Sequence, residues 1–133
     1  LAYKHGLEKT IELILQIDKK PVLIGVYGEK DAGKSYLINQ LRKMLQGNSG
    51  TIRCEREAIE RVLCSGIDYS YVFVHGIDSE AQVDSQRLGS TPDLRVFIYN
   101  PKLNTPLERY GEDYFDRFNL IILNEGSKRK PQT

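Results

Sequence analysis

GVYGEKDAGKSYLINQL, residues 25–41, follows the apolar run PVLI at 21–24. It contains Gly28-Glu29-Lys30-Asp31-Ala32-Gly33-Lys34-Ser35, which fits the pattern G-x-x-x-x-G-K-[ST]. Residues 22–27, VLIGVY, are apolar on both faces, as a central parallel strand requires. From 34 to 46 the spacing of Leu37, Ile38, Leu41 and Leu45 predicts a helix with one buried face. The motif thus lies between a strand and a helix, the context in which such a loop binds phosphate. Gly28 permits a sharp turn out of the strand, and Gly33 has no side chain to hold the backbone away from an anion. The N–H groups from Lys30 to Ser35 are expected to line one concavity, with the helix N-terminus adding positive partial charge. Lys34 is expected on β- and γ-phosphate oxygens, and Ser35 Oγ on Mg²⁺. The candidate binding residues run through Gly28, Glu29, Lys30, Asp31, Ala32, Gly33, Lys34, Ser35 and Tyr36. Within that run Lys30 is expected to be exposed, and Glu29 and Asp31 to point to solvent. The plain alternative is a glycine-rich turn with a solvated Lys34.

The rest of the chain fits one domain over residues 1–133, with an N-terminal helical segment in 1–20 and a basic tail at 127–133. Its 133 residues are 40% hydrophobic and 28% charged, an ordinary globular composition. A net charge of +1 supplies no basic field for nucleic acid. No apolar run approaches the length of a membrane span. Cys54 and Cys64 match no metal or redox spacing, and so few cysteines fit a reducing, cytoplasmic compartment. Both thiols are expected to be buried. His5 and His75 are too few to build a metal site without carboxylates. The chain begins at Leu1 rather than Met, so flanking domains of a longer parent are expected.

Helices are predicted at 7–17, where Leu7, Ile11, Ile14 and Leu15 share a face, and at 34–46, 56–64, 78–89 and 105–118. Thr105 is the expected N-cap of the last, with Pro106 at its first position and a break at Gly111. Strands are predicted at 22–27, 51–55, 69–76, 93–100 and 119–126. This alternation argues for an α/β three-layer sandwich with a mostly parallel five-stranded sheet.

PVLIGVYGEKDAGKSYLINQL, residues 21–41, resembles the opening of the P-loop kinases, uridine kinase and phosphoribulokinase in particular. Residues 69–78, YSYVFVHGID, resemble the third-strand segment of that group, where an apolar run ends in an acid followed by Gly-Ile. Residues 93–101, DLRVFIYNP, are similar to its fourth strand, and 114–126, YFDRFNLIILNEG, to its last. The resemblance implies the P-loop NTPase fold with strand order 2-3-1-4-5. It also implies a nucleoside triphosphate, ATP or another, with Mg²⁺, and a small-molecule phosphoryl acceptor. Lys34, Asp78 and Arg109 are then the candidate catalytic residues, and Ser35 and Asp78 the candidate metal ligands. The chain departs from the group at His75, which stands where an acid is usual. Asp78 could take the acid's place or simply cap a helix before SEAQV. Glu125 is a second candidate acid, although a surface strand end is the simpler role for it. Glu55 could stand as a general base. Arg109 could stabilise a transferring phosphoryl group or pair with Asp113 one turn on.

Two functions of different class follow. One is an ATP- and Mg²⁺-dependent small-molecule kinase. The other is a regulatory nucleotide-binding module of a longer protein, with slow hydrolysis or none. His75 and the scarcity of arginines between Pro101 and Phe118 favour the second. A GTP switch would want Asn-Lys-x-Asp, and Asn100 and Lys102 lack that spacing, so ATP is preferred.

Overall fold

Strand β1, Val22–Tyr27, is buried at all six positions and forms the middle of the sheet. The structure is a computed structural model that describes residues 3–55, 57–77 and 92–126. The elements in chain order are α1 (Tyr3–Leu15), β1, α2 (Lys34–Met44), β2 (Ser49–Arg53), α3 (Ala58–Leu63), β3 (Tyr71–Ile77), β4 (Leu94–Tyr99) and β5 (Leu120–Leu123). The five strands stand in the order β2-β3-β1-β4-β5, and every pairing is parallel. This is an α/β fold with the sheet order expected above. The sequence positions reverse direction at β1, between β3 and β4. In an open parallel sheet the crevice beyond the strand C-termini at such a point is where ligands bind. Loop 28–33 leaves β1 there.

Successive residues of a strand face opposite sides, so each strand contributes to two cores. On one face α1 and α2 lay Leu7, Ile14, Leu37 and Leu41 against Ile24, Val26, Phe73 and Val96. On the other, Leu23, Val72, Val74 and Phe97 pack with Ile59 of α3 and with the aromatic residues of 110–118. Among the described residues no helix is long and apolar enough to cross a membrane.

Several boundaries differ from expectation. Helix α1 begins at Tyr3 rather than at 7, and Gly6 lies within it where the helix docks on the sheet. A Cβ there would meet Ile122 Cγ1 of β5 at 2.7 Å. The buried face then reads Tyr3, Leu7, Thr10 and Ile14, while Leu15 is 65% exposed. Strand β2 runs Ser49–Arg53 rather than 51–55. Gly50 fits there because the Tyr69 ring lies over it. Cys54 is buried, as expected, but Cys64 is exposed.

The largest correction concerns 105–118. In place of a helix there are two 3-10 turns, Leu107–Arg109 and Tyr114–Arg117. Glycine at 111 weakens a helix by about 1 kcal/mol, and the backbone is already extended at Tyr110 (φ −80°, ψ 150°). That break lets four rings surround Phe97: Tyr110, Tyr114, Phe115 and Phe118, at centroid distances of 5.0–6.1 Å. Aromatic packing of this kind outweighs the weak local preference for helix. The expected helix over 78–89 lies outside the described residues, as does the basic tail.

Candidate functional site

Loop 28–33 is built by residues that few others could replace. A Cβ on Gly28 (φ +155°) would sit 2.6 Å from the Ile98 carbonyl oxygen and 3.4 Å from Ala32 Cβ. The loop root can therefore lie against the backbone of β4 only without a side chain. Asp31 (φ 69°) and Gly33 (φ 106°) take left-handed backbone conformations on either side of Ala32. A short polar side chain or none tolerates that region best. Ala32 is fully buried, and its N–H donates to Glu29 O at 3.2 Å. Gly33 then precedes α2, whose N-terminus has no side-chain cap and no acidic residue in its first turn.

Lys34 opens the helix and turns back into the loop. Its ammonium donates to Gly28 O at 2.5 Å and to Glu29 O at 3.2 Å. Ser35 is exposed on the same first turn. Tyr36 is half-buried beside Tyr3, with ring centroids 6.4 Å apart. Lys30 is exposed, as expected.

Glu29 does not point to solvent. Its carboxylate accepts from the Thr105 N–H at 3.0 and 3.2 Å and from Thr105 Oγ1 at 2.9 Å. The Tyr110 hydroxyl donates to the same group. Burial, reinforced by that hydrogen bond, holds the Tyr110 hydroxyl far above the ordinary tyrosine range, so it stays a donor. Thr105 therefore serves the loop rather than capping a helix. The turn at 107–109 has Pro106 at its start and no side-chain cap.

Three asparagines form a network beside the loop, and two of them, Asn124 and Asn104, touch it. Asn124, just past β5, is fully buried. Its Nδ2 donates to Ala32 O at 2.9 Å, and its Oδ1 accepts from Gly126 N at 3.1 Å. Asn100, also fully buried, donates from Nδ2 to Gly126 O at 2.8 Å and accepts the N–H groups of Lys102 and Leu103. Asn104 receives the Asn100 N–H at 2.8 Å and reaches Lys30 O at 3.4 Å. Sequence reasoning passed over this network. The only available signal was that each asparagine follows a strand of the sheet whose C-terminal ends face the loop.

The other candidate residues are dispersed. Arg109 is exposed on a single 3-10 turn, and the helix that would set it one turn from Asp113 is not formed. Glu125 is exposed while its neighbour Asn124 faces inward. Glu55 pairs with Arg61 at 3.0 Å on the surface and is not placed as a base. His75 ends up partly buried beside Arg53 of β2. Burial first and Arg53 second push its pKa below the usual value, with Glu55 acting in the opposite sense. Asp78 lies outside the described residues. Among the described residues no three His, Cys, Asp or Glu side chains are grouped to hold a metal ion. A groove of about 250 Å³ runs between β2 and α3, lined by Ile52, Arg53, Arg61, Val62 and Tyr69, and no residue of loop 28–35 reaches it. No family model, no curated protein and no solved structure matches this chain, so the role of the loop rests on its own residues.

Proposed function

We propose that residues 28–35 bind the β- and γ-phosphates of a nucleoside triphosphate, ATP by preference, on a P-loop NTPase fold like that of uridine kinase. The observation that carries this reading is the loop itself. It leaves the central strand at the topological switch point, passes through left-handed Asp31 and Gly33, and ends on an uncapped helix with Lys34 folded back over it. Gly28 O and Glu29 O, two of the groups that hold Lys34, are weak partners for an ammonium compared with phosphate oxygens. A triphosphate would compete with them for Lys34. The residues present also suit Mg²⁺, which takes few protein ligands and shares the phosphates' oxygens. Ser35 would supply one ligand, and Asp78 a second through water. When bound, the ion neutralises charge on the phosphates.

Two observations favour a binding module with little turnover over an active kinase. Segment 105–118 is pinned to the sheet by rings around Phe97 and to the loop by Glu29, so it is poorly suited to act as a closing lid. Its better candidate for charge stabilisation, Arg109, stands on the surface.

The test is calorimetric titration of ATP with and without Mg²⁺ into the wild type and Lys34→Ala, followed by an ADP-release assay. Lys34→Ala should bind ATP at least about tenfold more weakly, the loss of one charge-assisted contact, with an unchanged far-UV circular dichroism spectrum. Equal affinity in the variant would sink the phosphate-loop reading. Binding without ADP release would select the module, and release stimulated by a nucleoside or sugar phosphate would select the kinase.

A further inference from the structure

A carboxylate in a loop that receives triphosphate is an electrostatic liability, yet Glu29 is in that loop and does not face water. Both of its oxygens are engaged, by the backbone and hydroxyl of Thr105 and by the Tyr110 hydroxyl. The same residue's main-chain oxygen holds Lys34 and accepts the Ala32 N–H. Glu29 thus touches both the inside of the loop and the segment that follows β4. That segment is itself fixed: Tyr110 packs on Phe97 at a centroid distance of 6.1 Å, and Tyr99 Oη donates to Thr105 O at 3.0 Å.

We propose that Glu29 is a positioning residue for phosphate binding, holding the rising limb of the loop against Thr105 and Tyr110 so that Lys34 and the loop N–H groups meet the anion in place. The inference rests on the triphosphate reading of the loop and goes beyond it. It assigns a role to an acid that the motif leaves unspecified, and to two residues more than 70 positions away. It also has a sign. If Glu29 acted only through its charge, its removal would relieve repulsion and tighten triphosphate binding. If it positions the loop, its removal loosens the anion site and weakens binding. Glutamine keeps an acceptor for Thr105 and should recover part of the affinity, whereas alanine keeps none.

The experiment is MgATP titration into the wild type, Glu29→Gln, Glu29→Ala, Tyr110→Phe and the double variant Glu29→Ala/Tyr110→Phe. Each is first shown to be folded at the working temperature by circular dichroism. Amide hydrogen exchange across 29–35 is followed on the same proteins without nucleotide. Glu29→Ala should bind at least about tenfold more weakly, as expected from lost hydrogen bonds to a charged group. Glu29→Gln should fall between it and the wild type. The double variant should be no weaker than Glu29→Ala, since both act through one contact. The loop amides should exchange faster in Glu29→Ala. Unchanged or tighter MgATP binding by Glu29→Ala would overturn the proposal, as would fully additive effects in the double variant. If the wild type itself binds no MgATP, the nucleotide reading fails separately. Exchange then decides the positioning role: faster exchange across 29–35 in Glu29→Ala upholds it, and wild-type protection overturns it.

Discussion

Asn124 offers a sharp test of how the loop is held. An aspartate at the end of an apolar strand would read as a metal-supporting acid, and Asn124→Asp would seem to repair the sequence. The structure argues the opposite. Asn124 acts as a donor, with its Nδ2 on the buried Ala32 carbonyl at 2.9 Å, while its Oδ1 receives Gly126 N–H. An ionised aspartate would place an anionic oxygen against that carbonyl, in a position shielded from water. It can restore the donor only by keeping its proton. Holding a carboxyl of ordinary pKa about 3.9 neutral costs about 4 kcal/mol near pH 7 and about 1.5 kcal/mol near pH 5, at 1.36 kcal/mol per unit. Alanine instead removes both bonds and leaves Ala32 O and Gly126 N–H buried without partners, a loss of about 2–3 kcal/mol that does not depend on pH.

The two variants should therefore exchange rank. Near pH 7 Asn124→Asp should be the less stable, by about 1–2 kcal/mol, and below about pH 6 it should become the more stable. The sign follows from linkage. The folded aspartate binds its proton more tightly than the unfolded one, so stability relative to wild type falls as pH rises above the unfolded pKa. Urea denaturation of the wild type and both variants at three pH values measures this directly, with equal m-values as the check on two-state behaviour. Wild-type stability for Asn124→Asp near pH 7, or parallel pH curves for the two variants, would refute the donor assignment.

Gly28→Ala should destabilise by about 2–4 kcal/mol, since its Cβ would meet a backbone oxygen that cannot swing away. Gly66→Ala is the control: Gly66 has φ +79° and nothing within 4 Å of its Cβ position, so only the conformational penalty of about 1 kcal/mol applies. Thermal melts of the two separate contact from conformation, and equal shifts would remove the close-approach argument. His75, held partly buried with a lowered pKa, should make the fold lose stability as pH falls through the unfolded histidine pKa of about 6.5. That loss should be smaller in His75→Asn, and an unchanged acid limb in the variant would rule His75 out as its source.

The elements legible in the sequence were those whose signal is local. VLIGVY reads as a buried strand because all six side chains meet other residues, and 34–46 reads as a helix because its apolar residues fall on one side. The glycines Gly28 and Gly33 announce a turn by their type alone. What was not legible depends on distance. The start of α1 at Tyr3 depends on Gly6 meeting Ile122, and the extension of β2 back through Gly50 on the Tyr69 ring that covers it. The 105–118 segment carries a reasonable helical pattern, but its rings have a better partner in Phe97, contributed by another strand. Glu29 resembles any surface acid until the chain returns more than 70 residues later with Thr105 and Tyr110.

The cost of that network bears on what the loop is for. Among the described residues the fully or nearly buried polar side chains are Thr10, Asn100 and Asn124. Thr10 satisfies itself on Gly6 O of its own helix. The other two are spent on the loop: Asn124 on Ala32 directly, and Asn100 on Gly126 and on the turn that brings Asn104 to Lys30. Burying an amide costs free energy even when it is fully bonded, and an apolar residue of similar size would often serve stability as well. A buried turn carbonyl needs a partner in any loop, and Asn124 supplies one to Ala32 O. Support of this kind is what a loop requires when its N–H groups must keep their direction while a highly charged ligand enters and leaves. If the loop binds phosphate as proposed, Asn124 would steady it through Ala32 O, and Asn100 through Gly126 and the turn that carries Asn104.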